Sequence, residues 1–193
     1  MREDGAPSIN PFNLFNPIND CAILPAPLVN ADATTSNHTT PAIAFVCSAN
    51  LCRSPMAHAI AVAEARKRNF AVNVLSAGVI DFGGALAVRE ARLVCDRHQT
   101  PMPKFISTCI TGLDLSAAAR VLVMEQLHIE ALVAHGLSRE RISLLGEFDP
   151  QNRGPEIEDP MGQDISAFEQ CYTRLRDCIL HYLETTEDFR KSG

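Results

Sequence analysis

Apolar and polar residues follow a regular pattern between residues 41 and 188, which predicts alternating strands and helices. The segment AIAFVC, residues 42–47, is apolar throughout and predicts a buried strand. Further strands are predicted at residues 71–78, 119–125 and 141–148. The clearest helix is the last, where apolar residues recur every three or four positions: Ile165, Phe168, Tyr172, Leu175, Ile179 and Leu183.

The segments between the predicted strands are typical of helices, at residues 87–98 and 126–136 and after residue 53. In the helix after residue 53, Ser54 is predicted as the N-cap residue and Pro55 as the first helical residue. The alternation predicts a parallel sheet covered by helices on both faces. Because such sheets bind ligands at the carboxyl ends of their strands, we expect the functional site directly after residue 47.

Residues 1–40 differ from the rest of the chain in composition and in hydrophobic pattern. They hold five of the twelve prolines and six asparagines, and no period of a strand or helix is sustained there. Such a composition predicts a disordered N-terminal tail. We therefore expect one folded domain at residues 41–188, which fits a chain of 193 residues.

Composition and charge narrow the class of protein. Apolar residues make up 46% of the chain and charged residues 21%, a composition typical of a soluble globular protein. The net charge of −6 does not favour a nucleic-acid partner. No apolar run reaches the length of a membrane span, and the first residues do not resemble a signal peptide. The seven cysteines are therefore predicted to be thiols in the cytoplasm.

The candidate chemistry lies in the loop from Cys47 to Arg53, where the first strand meets the first helix. The backbone of such a loop can form an anion-binding nest, which a helix N-terminus reinforces. A thiol facing the nest ionises readily, and the Arg53 guanidinium fits two oxygens of a phosphate. The pattern predicts phosphoryl transfer through a cysteinyl-phosphate. The spacing of Cys47, Cys52 and His58 does not match a metal site, and we predict neither metal nor cofactor.

The segment VCSANLCRSPMA resembles the signature V-C-x-G-N-x-C-R-S-P of the low-molecular-weight protein tyrosine phosphatases. A looser resemblance extends from about residue 42 to residue 183. It implies a three-layer α/β sandwich, with a four-stranded parallel sheet flanked by helices and a phosphate loop after the first strand. It also implies hydrolysis of phosphotyrosine in a protein substrate.

The resemblance implies roles for the loop residues. Cys47 matches the nucleophile, Arg53 the phosphate-binding arginine, and Ser54 the hydroxyl that bonds the thiolate. The remaining matched positions are implied to bind phosphate or support the loop: Ser48, Ala49, Asn50, Leu51, Cys52 and Ser76. Alanine replaces the family's usual glycine at residue 49, which costs about 1 kcal/mol if φ is positive there and nothing otherwise.

A leaving phenolate needs a proton, and two Asp-Pro pairs could supply the carboxylic acid. Asp149 directly follows the fourth predicted strand, so we interpret it as the start of a turn. Asp159 precedes the last helix, where it resembles the acid loop of the family. We therefore predict Asp159 as the general acid.

Specificity depends on the walls around the phosphate loop. Phe82 matches the variable wall position of the family, and Met161 stands where an aromatic residue is common. Phosphoarginine phosphatases tend to carry threonine at the position of Leu51, so the leucine favours phosphotyrosine. The layout of the chain resembles that of bacterial relatives that serve polysaccharide-export tyrosine kinases, which implies a tyrosine autokinase as the partner. The family resemblance also implies a monomer.

Three alternatives stay open beside a tyrosine phosphatase: a phosphoarginine phosphatase, a thiol-dependent arsenate reductase, and a non-catalytic phosphate-binding protein. The reductase needs a cysteine just after the third strand, where this chain has Met124. The intact Cys47, Arg53 and Asp159 disfavour the binding protein. A further hypothesis is that oxidised Cys47 forms a reversible disulfide with Cys52.

Overall fold

The computed structural model describes residues 41–102 and 105–186. The tail predicted at residues 1–40 and the last two residues of the predicted domain, 187–188, lie outside the described residues. Among the helices that are described, none combines the length and the apolar character that a bilayer crossing requires.

The sheet has four parallel strands in the spatial order β2-β1-β3-β4. The strands are β1 (Ala42–Cys47), β2 (Asn73–Gly78), β3 (Ala118–Val123) and β4 (Ile142–Leu144). β1 lies inside the sheet with every residue buried, as its unbroken apolar sequence predicts. The chain continues from β1 to β2 on one side, and β3 lies on the other side. The carboxyl end of β1 is therefore a topological switch point, where α/β sheets open a crevice for ligands.

Four α-helices cover the sheet: α1 (Arg53–Arg68), α2 (Arg89–Arg97), α3 (Gln126–Ala134) and α4 (Ile165–Thr185). Alternate residues of β1 enter two different cores. Phe45 joins the core that contains α1, α2 and α4 residues, whereas Val46 joins the core that contains α3 residues. The predicted three-layer α/β sandwich with a four-stranded parallel sheet is confirmed.

Two local predictions are wrong. The strand predicted at residues 141–148 is only Ile142–Leu144, because β3 pairs with those three residues and Leu145–Phe148 then forms a 3-10 helix. Ser54 is not the N-cap residue and Pro55 is not the first helical residue, because α1 begins at Arg53 with Cys52 in the N-cap position. The Ser54 hydroxyl instead lies beside a thiol at the end of β1.

Candidate active site

The loop between β1 and α1 places Cys47 at the carboxyl end of β1, with 2% of its surface exposed. Its Sγ lies 3.0 Å from the Ser54 Oγ. The segment after β2 holds the outside of the loop, since the N–H of Val79 donates to the carbonyl of Cys47 (3.1 Å) and that of Ile80 to the carbonyl of Ser48 (2.8 Å). A hydroxyl within hydrogen-bond distance can stabilise the thiolate form of Cys47.

Asn50 holds the centre of the loop. It is fully buried in the left-handed region with φ 55°, a conformation that asparagine tolerates better than most residues. Its Nδ2 donates to the hydroxyls of Ser54 (2.8 Å) and Ser76, and its Oδ1 accepts from the N–H of Thr108 (2.9 Å). Ala49 does not have a positive φ, so alanine carries no left-handed strain at that position.

Gly78 lets β2 approach the loop more closely than any other residue would. A Cβ on Gly78 would lie 2.7 Å from the carbonyl carbon of Ala49 and 2.8 Å from the nitrogen of Asn50, both backbone atoms. Sequence reasoning identified Gly78 only as the end of a strand. Ala49 and Asn50 lie 29 and 28 positions before Gly78 in the sequence, so no local pattern reveals this contact.

The Arg53 guanidinium is 1% exposed and joins three segments of the chain. Nη1 donates to Glu125 Oε2 (2.6 Å) and to the carbonyl of Ile157 (2.9 Å), and Nη2 donates to Asp159 Oδ2 (2.6 Å). Among the described residues, its buried Nε has no hydrogen-bond partner. Burial opposes the charge, but Cys47, Asp159 and Glu125 outweigh it and raise the pKa of Arg53, which is therefore cationic.

Sequence reasoning missed Glu125, although a signal for it exists. Glu125 lies two residues after β3 ends, at the same edge of the sheet as Cys47. Because β1 and β3 are neighbours, polar residues that follow both strands lie close together. That neighbourhood depends on the strand order, which the sequence analysis did not assign.

The two Asp-Pro pairs have different surroundings. Asp159 is one-third exposed beside Arg53, and its Oδ1 accepts from the N–H of Met161 (3.1 Å). The Asp149 side chain is buried and binds Arg153 (2.8 and 3.0 Å) and Arg174 (3.2 Å). Burial opposes ionisation of Asp149, but the hydrogen bonds and charges of its partners lower its pKa to about 2. Asp149 anchors the loop that carries Asp159.

The two predicted wall residues are exposed, Phe82 by 51% and Met161 by 41%. Phe82 lies two residues after the segment that is bonded to the loop, and Met161 Sδ lies 3.9 Å from Cys52 Sγ. Leu51 is 8% exposed, and its side chain belongs to the core. Contact of these residues with a substrate stays a prediction.

The six cysteines that the structure describes are buried free thiols. Burial, together with the charge of Asp159, raises the pKa of the Cys52 thiol far above its usual value. The disulfide between Cys47 and Cys52 stays a prediction. Within residues 41–102 and 105–186, no cluster of three or more candidate ligands could hold a metal ion.

His128, at the start of α3, is a second residue that sequence reasoning missed. It is fully buried, its Nε2 lies 3.0 Å from Ser48 Oγ, and its Nδ1 lies 3.1 Å from the backbone nitrogen of Glu125. Burial and the charge of Arg53 lower the pKa of His128 to about 3. The imidazole ring is therefore neutral near pH 7.

Known proteins are similar to this chain in sequence and in fold. The chain is 30% identical over 142 residues to low molecular weight protein-tyrosine phosphatase A of Mycobacterium tuberculosis, covering 71% of this chain and 86% of the relative. It is 30% identical over 139 residues to a protein-arginine-phosphatase of Bacillus subtilis, covering 71% and 91%. The crystal structure of a low molecular weight protein tyrosine phosphatase from T. tengcongensis superimposes with a TM-score of 0.70 at 27% identity, covering 76% and 99%.

The sequence profile of one family extends over nearly all of the folded part. The profile described as "Low molecular weight phosphotyrosine protein phosphatase" matches residues 42–191, from the first residue of β1 to beyond the end of α4. The match spans more than half of the chain and includes the loop from Cys47 to Arg53. The chain therefore belongs to the low molecular weight phosphotyrosine protein phosphatase family.

Proposed function

We propose that the protein hydrolyses phosphotyrosine in protein substrates through a cysteinyl-phosphate on Cys47. One observation carries the proposal: a buried cationic guanidinium, Arg53, joins the loop that begins with Cys47 to the carboxylate of Asp159 and keeps an unpaired Nε–H. A buried N–H without an acceptor is unfavourable. A phosphate oxygen would satisfy it, and guanidinium groups bind phosphates with two parallel hydrogen bonds.

In the first step, the Cys47 thiolate attacks phosphorus and the bond from phosphorus to the tyrosine oxygen breaks. Asp159 gives its proton to the leaving oxygen, so tyrosine departs neutral. Arg53 holds the transferred group, whose negative charge it balances. Before this step, the substrate phosphate replaces Asp159 at the Nη2 of Arg53, and the freed carboxylate takes up a proton from solvent, so that it can act as the acid.

In the second step, water attacks the phosphocysteine and the bond between phosphorus and sulfur breaks. Asp159, now ionised, takes a proton from this water. Inorganic phosphate forms, and Cys47 leaves as a thiolate that accepts a hydrogen bond from Ser54. The cycle consumes one water and needs no oxidant or reductant.

The test is hydrolysis of an aryl phosphate with chelator present, between pH 5 and 8. We expect turnover that vanadate inhibits, no turnover by Cys47→Ser, and a roughly 10²- to 10⁴-fold slower rate for Asp159→Asn. Glu158→Gln is the matched control, because Glu158 is an exposed neighbouring acid. A reduced, folded wild type that does not turn over would leave a phosphate-binding protein as the better explanation.

Phosphoarginine is the second candidate substrate, because a 30% identical relative is named a protein-arginine-phosphatase. The resemblance-based argument from Leu51 favours phosphotyrosine. Comparing kcat/KM on two peptides that differ only in carrying phosphotyrosine or phosphoarginine decides between them. We expect the phosphotyrosine peptide to be preferred, and Leu51→Thr to narrow the difference.

The resemblance of the chain's layout to that of bacterial polysaccharide-export relatives supports a finer biological role. We assign the protein, as part of the same proposal, to the cytoplasm, as a monomer that dephosphorylates a tyrosine autokinase. Phosphorylated autokinase from the same organism is the substrate to test. Loss of its phosphotyrosine with wild type but not with Cys47→Ser would support the assignment.

A further inference from the structure

We infer that the side-chain hydroxyl of Ser48 donates a hydrogen bond to the bound phosphate, and that His128 is the positioning residue that aims the proton of this hydroxyl. This inference rests on the proposed function. It goes beyond the loop backbone and Arg53, because it adds a side-chain donor whose direction a buried histidine sets.

The hydrogen bonds of His128 determine where its proton lies. Its Nδ1 lies 3.1 Å from the backbone nitrogen of Glu125, which can only donate, so Nδ1 is the acceptor. A neutral imidazole carries one proton, and that proton must then be on Nε2. The Nε2–H therefore donates to Ser48 Oγ at 3.0 Å.

The surroundings of Ser48 then determine where its own proton points. Its oxygen accepts from His128 Nε2, and Arg53 Nη2 lies 3.4 Å away on the side of the phosphate-binding guanidinium. Both neighbours are donors, and no side-chain or backbone acceptor for the Ser48 proton occurs among the described residues. The proton is thus directed away from both donors, where an oxyanion bound at Arg53 can accept it.

This arrangement explains why a buried, neutral histidine stands beside a cationic arginine. Nε2 of His128 lies 3.7 Å from Glu125 Oε2, too far for a hydrogen bond, so its donor is committed to Ser48. A protonated ring at this position would face Arg53 as a like charge. The neutral ring orders the serine without adding repulsion.

The test is calorimetric binding of inorganic phosphate to the full chain, with turnover measured in parallel. Removing a hydroxyl that donates to an anion weakens binding by roughly 10- to 100-fold, which we expect for Ser48→Ala. Alanine is smaller than serine, and thermal unfolding checks that the variant is folded. Equal phosphate affinity of Ser48→Ala and wild type would overturn the inference.

His128 is tested with a matched pair of amides. Glutamine can place an amide N–H near the position of Nε2, whereas asparagine keeps an acceptor near Nδ1 but does not reach Ser48. We expect His128→Asn to bind phosphate several-fold more weakly and His128→Gln to retain most of the affinity. If the two folded variants bind phosphate with equal affinity, whether at the wild-type level or equally weakened, the positioning role is overturned.

A double variant separates positioning from a general structural effect. If His128 acts through the Ser48 hydroxyl, His128→Asn weakens phosphate binding in wild type but not further in Ser48→Ala. Fully additive losses would contradict the inference. A wild type that binds phosphate without turning over would refute the proposed function alone, and one that does not bind phosphate would refute both.

Discussion

Gly78→Ala tests whether close packing between β2 and the loop is required for the site. The new Cβ would lie 2.7 Å from the carbonyl carbon of Ala49, short of ordinary contact by about 0.7 Å, and 2.9 Å from the carbonyl oxygen of Ser48. All of the atoms that it meets within this distance are backbone, so no side chain can rotate away. Gly78 does not have a positive φ, so the effect is steric and not a matter of backbone conformation.

The loop must therefore move by a good part of an ångström, or β2 must separate from β1, with which Gly78 pairs at Cys47. Overpacking of this kind costs about 1–3 kcal/mol of stability. A displacement near 1 Å in a catalytic group costs about 100-fold in rate. We expect Gly78→Ala to lose about that factor in kcat/KM on an aryl phosphate, and to unfold at lower temperature.

The matched control is Gly112→Ala, where the new Cβ would lie 3.7 Å from Thr108 Cγ2, an ordinary contact, and φ is again not positive. This variant should keep the activity and stability of the wild type. If Gly78→Ala hydrolyses the aryl phosphate within two-fold of Gly112→Ala, the loop does not need the close approach, and the reasoning is wrong.

Two further predictions concern charged groups. The folded-state pKa of Asp149 is about 2, below its usual 3.8. The ion pairs of Asp149 therefore add about 2 kcal/mol to the free energy of unfolding above pH 4. This contribution is lost as the pH falls toward 2, because the carboxylate becomes protonated. Urea unfolding should show Asp149→Asn less stable by about that amount at pH 6, with the difference vanishing near pH 2; a constant difference would contradict this. Arg53→Lys keeps the charge but not the planar fork, so phosphate binding should fall about 100-fold or more, whereas Arg97→Lys on α2 should leave it unchanged.

Much of the fold could be predicted because its signals are local. The unbroken apolar run of β1 and the three-four spacing of α4 are properties of consecutive residues, and both elements are confirmed. The family resemblance is confirmed as well, and it rests on twelve adjacent residues around Cys47. The end of β4 could not be predicted, because it is set by how many residues of β3 are available for pairing.

The candidate site divides in the same way. Cys47, Asn50 and Arg53 lie within seven residues, so their spacing alone indicated a phosphate loop. The carboxylate of Glu125 and the ring of His128 come from a segment more than 70 residues later. Neither belongs to the loop signature or to a position for which the family resemblance implied a role, so neither was selected.

By itself, the sequence determined the alternation of strands and helices and the family, and it predicted the phosphate loop and the choice of Asp159 over Asp149 as the candidate acid. Only the tertiary structure decided which side chains surround the loop, since the strand order β2-β1-β3-β4 brings residues after β3 beside residues after β1. It also decided that Gly78 must be small and that Ala49 is unstrained. The physical reason is that spacing along a chain encodes contacts within a turn or a loop, whereas contacts between strands depend on the register of the whole sheet.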